Sequence, residues 1–67
     1  MIEIVINGET KSVEAGLSIA NFLEQLNLTS PAVAVEVNQQ IQPRDTHHQT
    51  VLQNGDVLEI VTLVGGG

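Results

Sequence analysis

The first thirteen residues leave this chain few folding options. Ile2, Ile4 and Ile6 fall on one side of an extended backbone and Glu3 on the other, which is the two-residue period of a half-buried strand. Asn7-Gly8 follows at once, and both residue types accept the positive φ that a tight hairpin turn requires. A second strand is expected from Thr10 to Val13. The chain therefore opens as a β-hairpin.

Ala15-Gly16 breaks that strand, and Ser18 is a good helix N-cap, because its hydroxyl can accept a hydrogen bond from an orphan backbone N–H. Ile19, Phe22, Leu23 and Leu26 recur at the spacing of one helical face, predicting a helix of about 10 residues. Asn21, Glu24 and Gln25 take its wet side. Asn27 can end the helix, and Ser30-Pro31 stops it from continuing. Val33, Val35 and Val37 alternate as a third strand, and Asn38-Gln39-Gln40 reads as a turn. Residues 41–49 read as irregular, with Pro43 inside them. Val51-Leu52 precedes the turn signal Gln53-Asn54-Gly55-Asp56. Val57 to Val64 is the longest strand candidate, with Leu58 and Ile60 on one face and Thr62 weakening the pattern. A sheet covering one helix, an α+β layer, fits this order. If the first and last strands are neighbours, a parallel pairing with the helix in the crossover is the natural arrangement.

Such a domain has a thin core, because 67 residues bury only about three-fifths of the unfolded surface. With no cysteine there is no disulfide to staple it. Stability has to come from aliphatic packing around Phe22, the only aromatic residue. Eight acids stand against Lys11 and Arg44, a formal net charge of −6. Nucleic acid is excluded as a partner, since phosphate binding rests on clustered Lys and Arg. The acidity suits either solubility or steering toward a basic protein. No apolar run reaches the roughly 18 residues of a membrane span, and no signal peptide opens the chain. The expected location is cytoplasmic.

The end of the chain carries the chemistry. Gly65-Gly66-Gly67 follow directly on the last strand candidate. Glycine lacks a Cβ, so such a run presents a bare carboxylate on a thread slender enough for a narrow channel. The alternative is a frayed terminus. A carboxylate is a poor electrophile and must first become a mixed anhydride, as with the α-phosphate of ATP. This chain has no phosphate-binding loop, so a partner enzyme would bring nucleotide and magnesium. A sulfur nucleophile could then displace AMP and leave a thiocarboxylate, with docking of the folded body making the terminal reaction effectively intramolecular.

Asn7-Gly8, the Ser18 to Leu26 helix, residues 35–41 (VEVNQQI), Pro43-Arg44-Asp45, residues 52–56 (LQNGD) and Val64-Gly65-Gly66-Gly67 stand in one order. Together they resemble the sulfur carriers of thiamine biosynthesis, the ThiS family, over essentially the whole chain. The resemblance implies a ubiquitin-like β-grasp fold, a mixed sheet of four to five strands on one helix, spanning residues 1–64 with a flexible tail at 65–67. It implies a non-enzymatic carrier with no bound cofactor, whose terminal Gly66-Gly67, with Gly65 as a third, is adenylated at Gly67 by a ThiF-like enzyme using ATP and magnesium. Sulfur then arrives from a sulfur-donor enzyme, ultimately from cysteine through a persulfide, and the thiocarboxylate donates it to thiazole synthase. One departure is His47, where relatives often carry a bulky aromatic.

Other features have plainer readings. His47-His48 lack the neighbours of a metal site and read as solvated polar residues. Arg44 with Asp45 is a local ion pair, a loop element or part of a docking surface, and an exposed pair contributes only about 0–1 kcal/mol. Gly55-Asp56 serves the turn. One helix cannot cover both faces of a sheet, so some of Val57, Val61, Leu63 and Val64 are expected to face water. Val61, Leu63 and Val64, beside the reactive tail, are the candidate partner-docking residues. The rival readings are a carrier for molybdopterin synthesis, a ubiquitin-like tag, and an interaction module whose tail is inert.

Overall fold

The computed structural model describes residues 1–30 and 32–62. Five strands and one helix follow in the order β1 (Ile2–Ile6), β2 (Glu9–Val13), α1 (Ile19–Gln25), β3 (Val33–Val37), β4 (Gln40–Gln42) and β5 (Val57–Thr62), with a short 3-10 turn at Arg44–Thr46. The strands form one mixed sheet of order β2-β1-β5-β3-β4. The last strand thus lies in the middle, parallel to β1 (Val5 opposite Val57, Ile6 opposite Leu58) and antiparallel to β3. The parallel first-to-last pairing read from the sequence is present.

The hairpin forms as its turn residues dictate. Asn7 and Gly8 take φ of 49° and 84°, and Ile6 pairs with Glu9 across the two-residue loop. Helix α1 starts at Ser18, whose hydroxyl accepts from the Asn21 N–H at 3.1 Å. It is shorter than its apolar period predicts. Leu26 caps it and Asn27 turns left-handed (φ 59°), so the chain leaves the helix before Ser30. The Leu26 side chain still packs on the core.

Residues 40–49 are more ordered than the sequence indicates. Asn38 and Gln39 both adopt positive φ (51° and 69°) and close a two-residue turn, which puts Gln40 in a strand opposite Val37. Strand β4 carries no alternating pattern because it is an edge of three residues whose one apolar member, Ile41, points to water at 74% exposure. Pro43 then ends it and caps the 3-10 turn.

The core lies between α1 and one face of the sheet. Phe22, Ile4, Ile19, Leu58 and Val35 are its largest fully buried side chains, joined by Val13, Leu17, Leu23, Val33, Val37, Leu52 and Ile60. Residues 47–52 wrap the start of the helix: the carbonyls of Thr50 and His47 accept from the N–H groups of Ile19 and Ala20, and Leu52 N–H donates to Leu17. Phe22 is the keystone, with no exposed surface. Phe22→Ala removes its packing and leaves a cavity, a loss of about 3–5 kcal/mol against a total of about 5–15 kcal/mol for a folded domain. The urea midpoint followed by far-UV circular dichroism should fall by a large fraction of its value; a small shift would mean that the core is not organised around this ring.

Candidate functional site

The described chain leads to the candidate carboxylate through β5, and the structure fixes that strand from both sides. Toward β3, Val33 to Val37 pair with Leu58 to Thr62. Toward β1, alternate residues find partners one after another: the Val5 N–H donates to the Asp56 carbonyl and the Asn7 N–H to the Leu58 carbonyl, each at 2.9 Å. At the next step the backbone of β1 has already turned into the hairpin. The Asn7 side chain takes its place, accepting from the Ile60 N–H at 2.8 Å and donating to the Ile60 carbonyl at 3.1 Å.

The start of β5 is equally tied down. Gly55 takes φ 89° and donates its N–H to the Glu3 carbonyl at 2.7 Å, while the Asn54 side chain accepts from the Glu3 N–H at 2.9 Å. Asp56 bonds back to the Gln53 N–H at 2.8 Å and accepts from the Asn38 side chain at 3.0 Å. Asn38 in turn accepts from the Val57 N–H at 3.0 Å. Gly55-Asp56 is a turn device, as its sequence indicates, and it also staples the β3–β4 turn to β5.

Of the predicted site residues, Val61 lies on the sheet face away from the helix and is 52% exposed. Leu63, Val64, Gly65, Gly66 and Gly67 lie outside the described residues. Strand register shows what surrounds Val61. Ala34 stands opposite it, Glu36 opposite Glu59, Ile41 opposite Glu36, and Val5 opposite the exposed Val57. Valines and acids therefore interleave on one open face. Glu36 and Glu59 face each other directly, an arrangement that costs stability by itself. Sequence alone does not reveal this surface, because Ile41, Glu36 and Glu59 become neighbours only once register is set. The exposure of Val57 and Val61 does follow from the single covering helix.

His47 differs from its expected solvated state. Its ring is only 5% exposed and its Nε2 lies 2.9 Å from the Gln42 carbonyl, so Nε2 carries the proton it donates. Proline fixes the start of the 3-10 turn so that His47 swings under it, toward the helix. With Leu23, Leu28, Val33, Arg44 and His48 it lines a half-open pocket beside α1. His48 is exposed. Among the described residues no group of three or more His, Cys, Asp or Glu side chains could hold a metal ion, and no helix is long and apolar enough to cross a membrane.

A five-stranded mixed sheet on one helix, with the last strand central, is the β-grasp architecture. It superposes on the crystal structure of the thiamine biosynthesis protein (ThiS) from Geobacter metallireducens with a TM-score of 0.82, at 26% identity, covering 98% of this chain and 100% of that one. The chain belongs to the ThiS family, whose model matches residues 4–67. It is similar to the sulfur carrier protein ThiS of Escherichia coli, 32% identical over 66 residues, 98% of this chain and 100% of that protein. It is also similar to a thiazole synthase of Paramagnetospirillum magneticum, 39% identical over 66 residues. There the match covers 98% of this chain, which spans about a fifth (20%) of that synthase.

The buried His47 generates a prediction. His47→Phe keeps a ring in the site but removes the donor to the Gln42 carbonyl, costing about 1 kcal/mol. Urea unfolding should report that loss, and zinc should leave the wild-type midpoint unchanged. A midpoint raised by zinc would instead make the histidine pair a metal site.

Proposed function

We propose that this protein is a cytoplasmic, non-catalytic sulfur carrier for thiazole formation in thiamine biosynthesis, acting through the carboxylate of Gly67. The observation that carries the reading is the family match running through to Gly67, on a domain whose last described strand is central in the sheet. A chain so placed is held by the whole fold, and the glycines that follow it in sequence are slender enough for a partner's active site.

In this reading a ThiF-like enzyme supplies ATP and magnesium. The Gly67 carboxylate attacks the α-phosphate, pyrophosphate leaves, and an acyl adenylate forms. The terminal sulfur of the donor enzyme's persulfide displaces AMP to give an acyl disulfide. A thiol then cleaves its S–S bond and forms a disulfide with the donor cysteine, and the thiocarboxylate so released passes its sulfur to a thiazole synthase. The likeness between this chain and one-fifth of a thiazole synthase supports that last partner, since a carrier-like segment and a synthase there share one polypeptide. The partner-docking surface is the open sheet face around Val61, extended in sequence by Leu63 and Val64. Its acids, within a net charge of −6, suit a partner presenting basic groups around an apolar patch.

The test is the intact mass of the untagged protein after incubation with ATP, magnesium, an adenylating enzyme and a sulfur donor. A gain matching one sulfur for one oxygen is expected, and it should vanish when Gly66 and Gly67 are deleted. No gain, with the enzyme proven active on another carrier, would favour an interaction module with an inert tail. Val61→Asp should weaken binding to the adenylating enzyme or the synthase about tenfold or more while changing stability by less than about 1 kcal/mol. Unchanged affinity for both would remove Val61 from the docking surface.

A further inference from the structure

We propose that Asn7 is a positioning residue for the terminal glycine, holding β5 in line beyond the point where β1 stops. The inference rests on the carrier reading given above. Its basis is the two-point pairing of one side-chain amide with both backbone groups of Ile60, at 2.8 and 3.1 Å. That geometry reproduces what a further strand residue would offer. It extends the β1 side of the ladder by one step after the Asp56 and Leu58 carbonyls have been met by Val5 and Asn7 N–H groups.

The turn alone does not explain this residue. Asn7 has φ 49°, a conformation that glycine, asparagine and aspartate all serve in a two-residue hairpin loop. Of these, only asparagine presents a neutral donor and acceptor together. Glycine has neither, and an aspartate carboxylate would accept from the Ile60 N–H but stand against its carbonyl. The pairing joins residues 53 positions apart and falls on Ile60, whose side chain is buried in the core at 7% exposure. Ile60 is thereby held by packing below, by β3 on one side and by Asn7 on the other. It is also the last residue of β5 met from the β1 side among the described residues, and Gly67 follows it by seven positions. Fixing the strand there holds β5 close to its last described residue, Thr62. A reacting atom misplaced by about 1 Å can lose about a hundredfold in rate, whereas affinity for a partner is spread over an open sheet face that includes β3 and β4, which Asn7 does not hold.

The experiment is carrier-dependent ATP–pyrophosphate exchange with the adenylating enzyme, comparing wild type, Asn7→Gly, Asn7→Asp and Val13→Ala at a temperature where circular dichroism shows all four folded. Asn7→Gly keeps the turn conformation and removes the clamp. Val13→Ala weakens the core at the far end of β2, where Val13 pairs with Ile2. Asn7→Gly should lower kcat about tenfold with KM for the carrier within about twofold. Asn7→Asp should fall between it and wild type, and Val13→Ala should keep both constants. Amide exchange at Ile60 should quicken in Asn7→Gly alone. Wild-type kcat in Asn7→Gly, or an equal loss in Val13→Ala, overturns the positioning role while leaving the carrier reading intact. No exchange with wild type, using an enzyme active on another carrier, overturns the carrier reading and this inference with it.

Discussion

Everything in this small domain depends on the pairing of its first strand with its last. The parallel contact between β1 and β5 joins Val5 to Val57 and Ile6 to Leu58, closing a loop that contains the helix, the second hairpin and most of the core. Loop closure on that scale is entropically costly, and the chain answers with redundancy. Asn54 and Gly55 lock onto Glu3 at one end of the pairing and Asn7 locks onto Ile60 at the other. Between them Ile4 and Leu58, at 1% and 0% exposure, seal the centre against Phe22. Without this seam β5 would have only β3 to hold it, and the helix would cover two separate ribbons.

The same seam divides the molecule into a face that stabilises it and a face free for other work. One short helix covers one side of five strands, so the period of two that buries Leu58 and Ile60 must expose Val57, Glu59 and Val61. A domain optimised only for stability would place small polar or β-favouring residues there with alternating charge. This one sets Glu36 against Glu59 and surrounds them with valines and Ile41. Local repulsion on an apolar ground is tolerable where a partner relieves it, which is the argument for proposing this face, rather than the pocket beside His47, as the docking surface.

How much of this was legible beforehand follows from the kind of signal involved. The hairpin, the helix start and β3 could be read because Asn7-Gly8, Ser18 and the alternating valines act locally. The parallel β1–β5 pairing was readable only on the condition that the two strands are neighbours, and the central position of β5 has no local signal. Strand β4 escaped because Gln40-Ile41-Gln42 has no buried member to give it a period, and His47 escaped because its burial is imposed by a proline-started turn folding under the chain. The Asn7–Ile60 pairing escaped for a further reason: the turn already explained Asn7, and a residue with one sufficient local role conceals a second, long-range one. For the candidate site, Val61 was legible as an exposed valine, but the residues grouped with it, Ile41, Glu36 and Glu59, come from three different strands.

The polar side chains of the described residues are used structurally. The described side-chain hydrogen bonds go to turns, caps and strand ends: Ser18 to the helix, Asp56 to its turn, Asn38 and Asn7 to β5. No buried side-chain nitrogen or oxygen among the described residues is left without a partner. Two of these side chains, Asn7 and Asn38, fix β5 directly. In the carrier reading proposed above, reactivity is supplied by another protein, and a well-held β5 is what this domain contributes to the rate.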